Sequence, residues 1–305
     1  MKRRAFLTNT ALSAIAVSAT GFIHFDGTRY VGDCETTSDI LGPFYRPGSP
    51  VRSSLVIEGE PGTPVELSGR ILHDDCTTPY PNAKIELWHC DNQGVYDNES
   101  ADFRYRGTVY TDREGQYAIQ TILPVPYQVG KKSYRPAHFH LMITAEGYQP
   151  LVTQLYLSGD PWIGEDESAS SPTAKRRILD VQTRPNGHKQ VTYTVGMAAK
   201  LLVEPPVLGL LEGTYTDEKD PNNRTELFVQ DHQLWVKGNP QNGMPYGANL
   251  EYIGDNTFKP AGVTRETYSL YFDVLPYGVI KMRETFLTDK GKQKVVVTVR
   301  EMRGE

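Results

Sequence analysis

The chain has 305 residues and a formal net charge of −5, with 38% hydrophobic and 23% charged residues. That composition is ordinary for a folded protein, with room for one large or two moderate domains. No basic stripe runs through it, which argues against a nucleic-acid partner. Gly and Pro are frequent and spread out, while long amphipathic helical patterns are scarce, so the expectation is many short strands joined by turns.

The first 22 residues, MKRRAFLTNTALSAIAVSATGF, stand apart. A basic start, a mild apolar stretch and small residues at Ala16, Ser18 and Ala19 make a secretory-signal pattern. The stretch is too short and mild to span a bilayer. Arg3-Arg4 followed by Phe6-Leu7 points to the twin-arginine route; the competing reading is an N-terminal helix with chance arginines. The expectation is export to the periplasm or beyond, with no lipid or membrane anchor. Losing Lys2, Arg3 and Arg4 would take the charge from −5 to −8.

Residues 23–65 are rich in loop formers, and LGPFYRPGSP (41–50) reads as an ordered, non-helical arm. Strand signals then follow at 66–72, 84–90, 106–111, 116–123, 137–145, 150–157 and 189–197, with polar turns DREG and EGYQ as hairpin signals. In KIELWHC, Ile85, Leu87 and His89 share one face, and Lys84, Glu86 and Trp88 the other. This spacing predicts an all-β, antiparallel sandwich over 23–203. A short helix around TAKRRILDV is the only helical candidate. The paired prolines of LVEPPVLGLLEG mark a boundary, and 207–305 then read as a small β-meander or barrel-like domain.

Three cysteines remain. Cys34 and Cys76 lie in polar, loop-like contexts and are the preferred pair in an exported chain, leaving Cys90 as a buried thiol; the sequence by itself leaves the pairing open.

RPAHFH (135–140) carries the first chemical signal. Residues i and i+2 of a strand face the same way, so His138 and His140 present two imidazoles together, a weak metal signal alone. Tyr127, in the proline-bracketed ILPVPYQVG, and Tyr96, on the turn of ELWHCDNQGVY, raise the odds, because phenolate is a hard anionic donor that suits high-valent iron beside imidazole.

LGPFY (41–45), ELWHCDNQGVY (86–96), TDREGQYAIQTILPVPY (111–127) and RPAHFH (135–140) together resemble the intradiol ring-cleaving dioxygenases, over roughly residues 38–200. The resemblance implies a non-haem Fe(III) held by Tyr96, Tyr127, His138 and His140. It implies that a catechol-type substrate chelates the metal, displaces Tyr127, and is opened with O2 to a muconate-type diacid. It also implies that Arg135 steadies negative charge on the ring and that Gln154 lies near the substrate, whereas Trp88 and His89 are structural. The helical N-terminal region through which catechol dioxygenases dimerise has no counterpart before Gly42, so that dimer mode is not expected. The oligomeric state and the particular catechol are left open.

Two other readings compete. ELSGRIL, PNAKIELW and TDREGQYAI also resemble transthyretin-like or carboxypeptidase-regulatory β-sandwiches, which are binding modules; those do not need the Tyr/Tyr/His/His set. A zinc hydrolase lacks its carboxylate-plus-histidine motif here.

Overall fold

The computed structural model describes residues 34–130, 133–199, 201–239, 244–288 and 290–301, together with the backbone of three short strands, Val17–Ser18, Gly21–Phe25 and Tyr30–Gly32. The segment 1–22 read as an export signal otherwise lies outside the described residues.

Two five-stranded sheets form the first half. One has the order Ile178–Leu179, Leu151–Leu157, His138–Thr144, Lys84–Trp88, Arg106–Tyr110. The other is built on Pro64–Leu72, which pairs with Gln116–Ile122 along one edge. Lys189–Thr192 and Val195–Gly196 lie along its other edge. Between the sheets lies the main core, including Leu67, Ile85, Leu87, Ile119, Phe139, Leu141, Leu155 and Val191. The all-β architecture is as expected.

Details differ from the sequence reading. The segment 189–197, expected as one strand, is two, and both run parallel to Pro64–Leu72. Ile178–Leu179 is also parallel to its neighbour Leu151–Leu157. The sandwich is therefore not wholly antiparallel. DREG is not a hairpin turn. Arg106–Tyr110 pairs with Lys84–Trp88, whereas Gln116–Ile122 pairs with Pro64–Leu72, so this turn carries the chain from one sheet to the other. Asp112 shapes it by accepting from the backbone N–H of Glu114 and Gln116 at 3.0 and 2.7 Å. The helical candidate near 173–181 is a short 3-10 turn, Pro172–Arg177.

A disulfide joins Cys34 to Cys76, with Cα atoms 5.7 Å apart, and Cys90 is a buried free thiol. Closing a chain segment of 42 residues restricts the unfolded ensemble and ties the arm to the sandwich.

The second half is a closed eight-stranded barrel whose strands follow one another around the ring: Gly213–Asp217, Arg224–Gln230, Gln233–Val236, Ala248–Tyr252, Thr257–Pro260, Tyr268–Val274, Ile280–Leu287 and Gln293–Arg300. Before it comes an α-helix, Pro205–Leu211, which the sequence reading took only as a boundary. Paired prolines stand in its first turn, where a missing N–H costs nothing. Leu208 and Leu211 then join the barrel core with Tyr215, Leu227, Leu234, Leu270 and Phe272.

Sandwich and barrel meet around the arm. Tyr45 stacks on Trp235 of the barrel with ring centroids 5.5 Å apart. Lys84 bridges to Asp231 at 3.0 Å, and the Ser38 hydroxyl donates to Glu251 at 2.6 Å. A buried cluster runs from Leu41 and Tyr45 through Trp88, Tyr96 and Tyr127 to Trp235 and Ala261, so the surroundings of the tyrosine pair and the barrel wall are packed as one body.

Candidate metal centre

The strand His138–Thr144 is buried along almost its whole length, and its two faces do different work. Phe139, Leu141 and Ile143 fill the main core. His138, His140 and Met142 turn the other way, as period-two geometry requires, and Met142 packs in the cluster that holds both tyrosines.

Each donor is brought in by local chain chemistry. Tyr96 follows a tight turn in which Asp91 accepts from the N–H of Gln93 and Val95 at 2.8 and 2.9 Å. Gly94 in that turn has φ of +81°, and a Cβ there would lie 2.6 Å from Tyr127 Cβ, so only glycine lets the two tyrosine segments meet. Tyr127 opens a short hairpin strand, Tyr127–Val129, and pairs directly with Arg135 on Ser133–Arg135. One small hairpin thus carries both a candidate ligand and the candidate charge-stabilising arginine. Phe44 of the arm stacks on Tyr96 with centroids 4.2 Å apart.

The donors converge. His138 Nε2 and His140 Nε2 are 3.0 Å apart, and Tyr96 Oη is 3.4 Å from His138 Nε2. Tyr127 lies edge-on to Tyr96 and beside His138, at centroid distances of 5.5 and 5.7 Å. His138 Nδ1–H donates to the Pro136 carbonyl at 2.6 Å, which leaves Nε2 as the lone-pair nitrogen. His140 is clamped by Trp88, stacked 4.8 Å away and nearly parallel at 8°, and its Nδ1 is a buried atom without a hydrogen-bond partner.

Burial holds His138 down to about 3 and His140 well below the usual imidazole value, so both are neutral donors. Burial, reinforced by Tyr127, raises Tyr96 far above an ordinary phenol. Burial also raises Tyr127, with the Arg135 guanidinium opposing. Without added positive charge both phenols keep their protons, and phenolate donors require a bound cation. Among the described residues no cluster of three or more His, Cys, Asp or Glu is placed to hold a metal, so further ligands beside this histidine pair would come from the tyrosines. Two neutral imidazoles and two buried phenols in one apolar cluster fit a hard, strongly charged cation.

Arg135 and Gln154, separate candidates in the sequence, touch: Arg135 Nη2 donates to Gln154 Oε1 at 2.7 Å. Gln154 lies directly across the strand pair from His140 and donates to the Ile40 carbonyl at 2.6 Å. The structure adds residues that the sequence reading missed. Asp166 pairs with Arg135 Nε at 2.5 Å. Tyr156 Oη donates to Asp39 at 2.9 Å, and Arg177 binds the same carboxylate at 2.5 Å. Tyr156 is two residues from Gln154 in one strand, so its facing was legible; Asp39, Asp166 and Arg177 come from loops or a 3-10 turn that carry no such pattern. His89 points into the sandwich side, hydrogen-bonded to Thr121 Oγ1 and the Cys90 carbonyl, each at 2.7 Å, apart from the donor set as expected.

Residues 40–198, just over half of the chain, match the family profile described as Dioxygenase. A chlorocatechol 1,2-dioxygenase of Rhodococcus opacus is 34% identical over 168 residues, which are 48% of this chain and 65% of that protein. Catechol 1,2-dioxygenase 2 of Acinetobacter lwoffii is 33% identical over 150 residues, 43% of this chain and 54% of that protein. The match thus spans less than two thirds of these relatives. Among solved structures, a mutant catechol 1,2-dioxygenase of Acinetobacter radioresistens aligns with a TM-score of 0.50 at 24% identity, over 56% of this chain and 64% of that one, a likeness of fold. From the ordered motifs and the profile match together, the chain belongs to the intradiol ring-cleaving dioxygenase family.

Proposed function

We propose that this protein is an Fe(III)-dependent intradiol dioxygenase that opens a catechol-type ring between its two hydroxylated carbons, with Tyr96, Tyr127, His138 and His140 as metal ligands. The observation that carries the reading is the convergence of the two imidazole Nε2 atoms, 3.0 Å apart, beside the Tyr96 hydroxyl in a buried apolar cluster. Family membership supports it, and disfavours the non-catalytic binding module.

When bound, Fe(III) supplies a Lewis acid for the two catechol oxygens and an electron acceptor that opens the ring to attack by O2. The chain supplies the rest. The Pro136 carbonyl fixes the His138 tautomer and Trp88 fixes the His140 ring plane. Tyr127 Oη is the base for a catechol proton, and the neighbouring guanidinium of Arg135 favours its anionic form. Arg135, held by Asp166 and Gln154, presents fixed positive charge to the anionic ring. Leu41, Phe44 and Val125 pack with the donor residues and keep water out. The atoms balance without an external reductant: one C–C bond breaks and both oxygen atoms of O2 end in the dicarboxylate.

Export through the segment 1–22 to the periplasm or beyond belongs to the same proposal, and the Cys34–Cys76 disulfide supports an oxidising compartment. So does the division into a catalytic unit over 23–203 and an accessory β domain over 207–305, supported by separate hydrophobic cores. The test is oxygen uptake by iron-loaded protein against catechol, protocatechuate, hydroxyquinol and larger catechols, with product analysis. Stoichiometric O2 consumption giving a muconate-type diacid is the expected result. No turnover of any vicinal diol by fully iron-loaded protein overturns the proposal.

A further inference from the structure

The barrel holds a cavity of about 1430 Å³. Its lining follows the alternation of the strands. Leu234, Leu250, Phe258, Leu270 and Met282 fill the closed part of the lumen with Leu208 and Leu211 of the helix. Two residues further along their strands, on the same inward face, come Val236, Ala248, Pro260, Tyr268 and Glu284, and all five line the cavity. Register agrees: Val236 pairs with Ala248, Leu250 with Pro260, Leu270 with Glu284 and Tyr268 with Phe286. The lumen is therefore filled at one end and hollow at the other. An eight-stranded barrel has just enough width either to fill itself with side chains or to hold one small ligand, and this one does each at a different end.

The hollow end has a defined chemistry. Val236, Ala248, Pro260 and Val263 give it aliphatic walls, Tyr268 and Phe286 add aromatic rings, and polar residues such as Thr214, Asn223 and Thr225 complete the lining. Inside, Tyr268 Oη donates to Glu284 Oε1 at 2.8 Å, placing a carboxylate acceptor in an apolar wall. Arg224, Glu226 and Lys237 also line the cavity, but Lys237 pairs with Glu226 at 2.7 Å and Arg224 with Glu301 at 3.6 Å, so both cations already face a carboxylate, whereas Glu284 has a phenol as its partner. Glu284 accepts from a hydroxyl and disfavours a second carboxylate beside it; the rings suit an aromatic body. Sites of about 300–1,000 Å³ take drug-sized molecules, so the space exceeds what one benzene ring needs. Ile40, Leu41, Gly42 and Pro43 of the arm line the same cavity. On its other side the arm meets the candidate metal centre: Leu41 packs in the tyrosine cluster, and a Cβ on Gly42 would be 3.1 Å from His140 Cε1. The two sites share one thin wall.

We propose that the hollow end of the barrel is a second binding site, for a hydroxylated aromatic of two or more rings whose hydroxyl donates to Glu284. It does not rest on ring cleavage at the other site, and the test keeps the two apart. Calorimetric titration of the full-length, metal-free protein uses 4,4′-biphenol, which has no vicinal diol, with biphenyl and lauric acid as comparisons. The expected result is one-to-one binding of biphenol, at least about tenfold tighter than biphenyl or lauric acid. Ala248→Phe, which fills the lumen, should abolish binding. Glu284→Gln, which keeps the shape, should weaken it about tenfold. If Ala248→Phe fails to fold, Phe286→Glu at the half-buried wall serves in its place. Absence of biphenol binding, equal binding of lauric acid, or binding indifferent to these substitutions overturns the proposal.

Discussion

The two hollows on either side of the arm are opposites. The tyrosine–histidine centre is tight, buried and short of charge: its donors are neutral and clamped by stacking and backbone contacts, and on the proposed reading a cation completes them. The barrel mouth is wide and mixed, aliphatic within and polar at its rim, with the half-buried carboxylate of Glu284 already hydrogen-bonded to a phenol. The difference tracks the supporting strands. The histidine strand is buried on both faces, whereas Ile280–Leu287, which lines the barrel mouth through Glu284 and Phe286, is half-buried or exposed over most of its length. Precise placement of ligands demands side chains locked from both sides, while a binding calyx needs only one packed face.

The largest effect should come from the centre itself. His138→Ala or His140→Ala removes one of the two converging nitrogens, and iron content by metal analysis should fall to background while the folded spectrum in far-UV circular dichroism persists. Retained stoichiometric iron would break the contrast between a cation-dependent hollow and an independent one.

Next is the joint between the two halves. Trp235 is fully buried against Tyr45, which in turn lies edge-on to Trp88, the ring that clamps His140. Trp235→Ala should cost about 3–5 kcal/mol in denaturant unfolding and also lower iron retention. A loss of stability with unchanged iron binding would show that the barrel merely adheres to the sandwich.

A smaller effect is pH-linked. Burial depresses His89 to about 4 from the ordinary 6.5. The unfolded chain therefore binds a proton that the folded chain refuses between those values, so stability is fully present above pH 6.5 and is lost as pH falls towards 4. The loss from this residue is roughly 3 kcal/mol. His89→Gln should make that part of the stability profile less steep, with the buried His138 and His140 supplying the remaining acid sensitivity of the metal-free protein; an unchanged profile would assign all of it elsewhere.

The smallest is Gly42→Ala. With φ of +74° and His140 3.1 Å from the added methyl, it should cost about 1–2 kcal/mol, and the shift should appear in the metal's optical spectrum because the strain falls on a ligand ring.

Much of this was legible in the sequence because period-two alternation is written in residue types. The imidazole pair, the opposite facing of Trp88 and His89, and the strand-rich second half all follow from it. Alternation has no direction, however, which is why the parallel pairing of Lys189–Thr192 with Pro64–Leu72 was missed. The prolines at 205 and 206 read as a break, yet the same residues start the helix whose leucines join the barrel core. Asp166 and Arg177 reach the centre from loop and 3-10 segments, where no periodicity points a side chain anywhere.

Everything proposed for the first site depends on two tyrosines and two histidines holding ferric iron. The visible absorption spectrum of the iron-loaded protein tests it most directly, because a tyrosinate bound to Fe(III) gives a charge-transfer band in the blue-green. The iron-loaded protein should be burgundy, with a band that weakens and shifts in both Tyr96→Phe and Tyr127→Phe. A colourless protein with stoichiometric Fe(III), or a band that neither substitution alters, would contradict it.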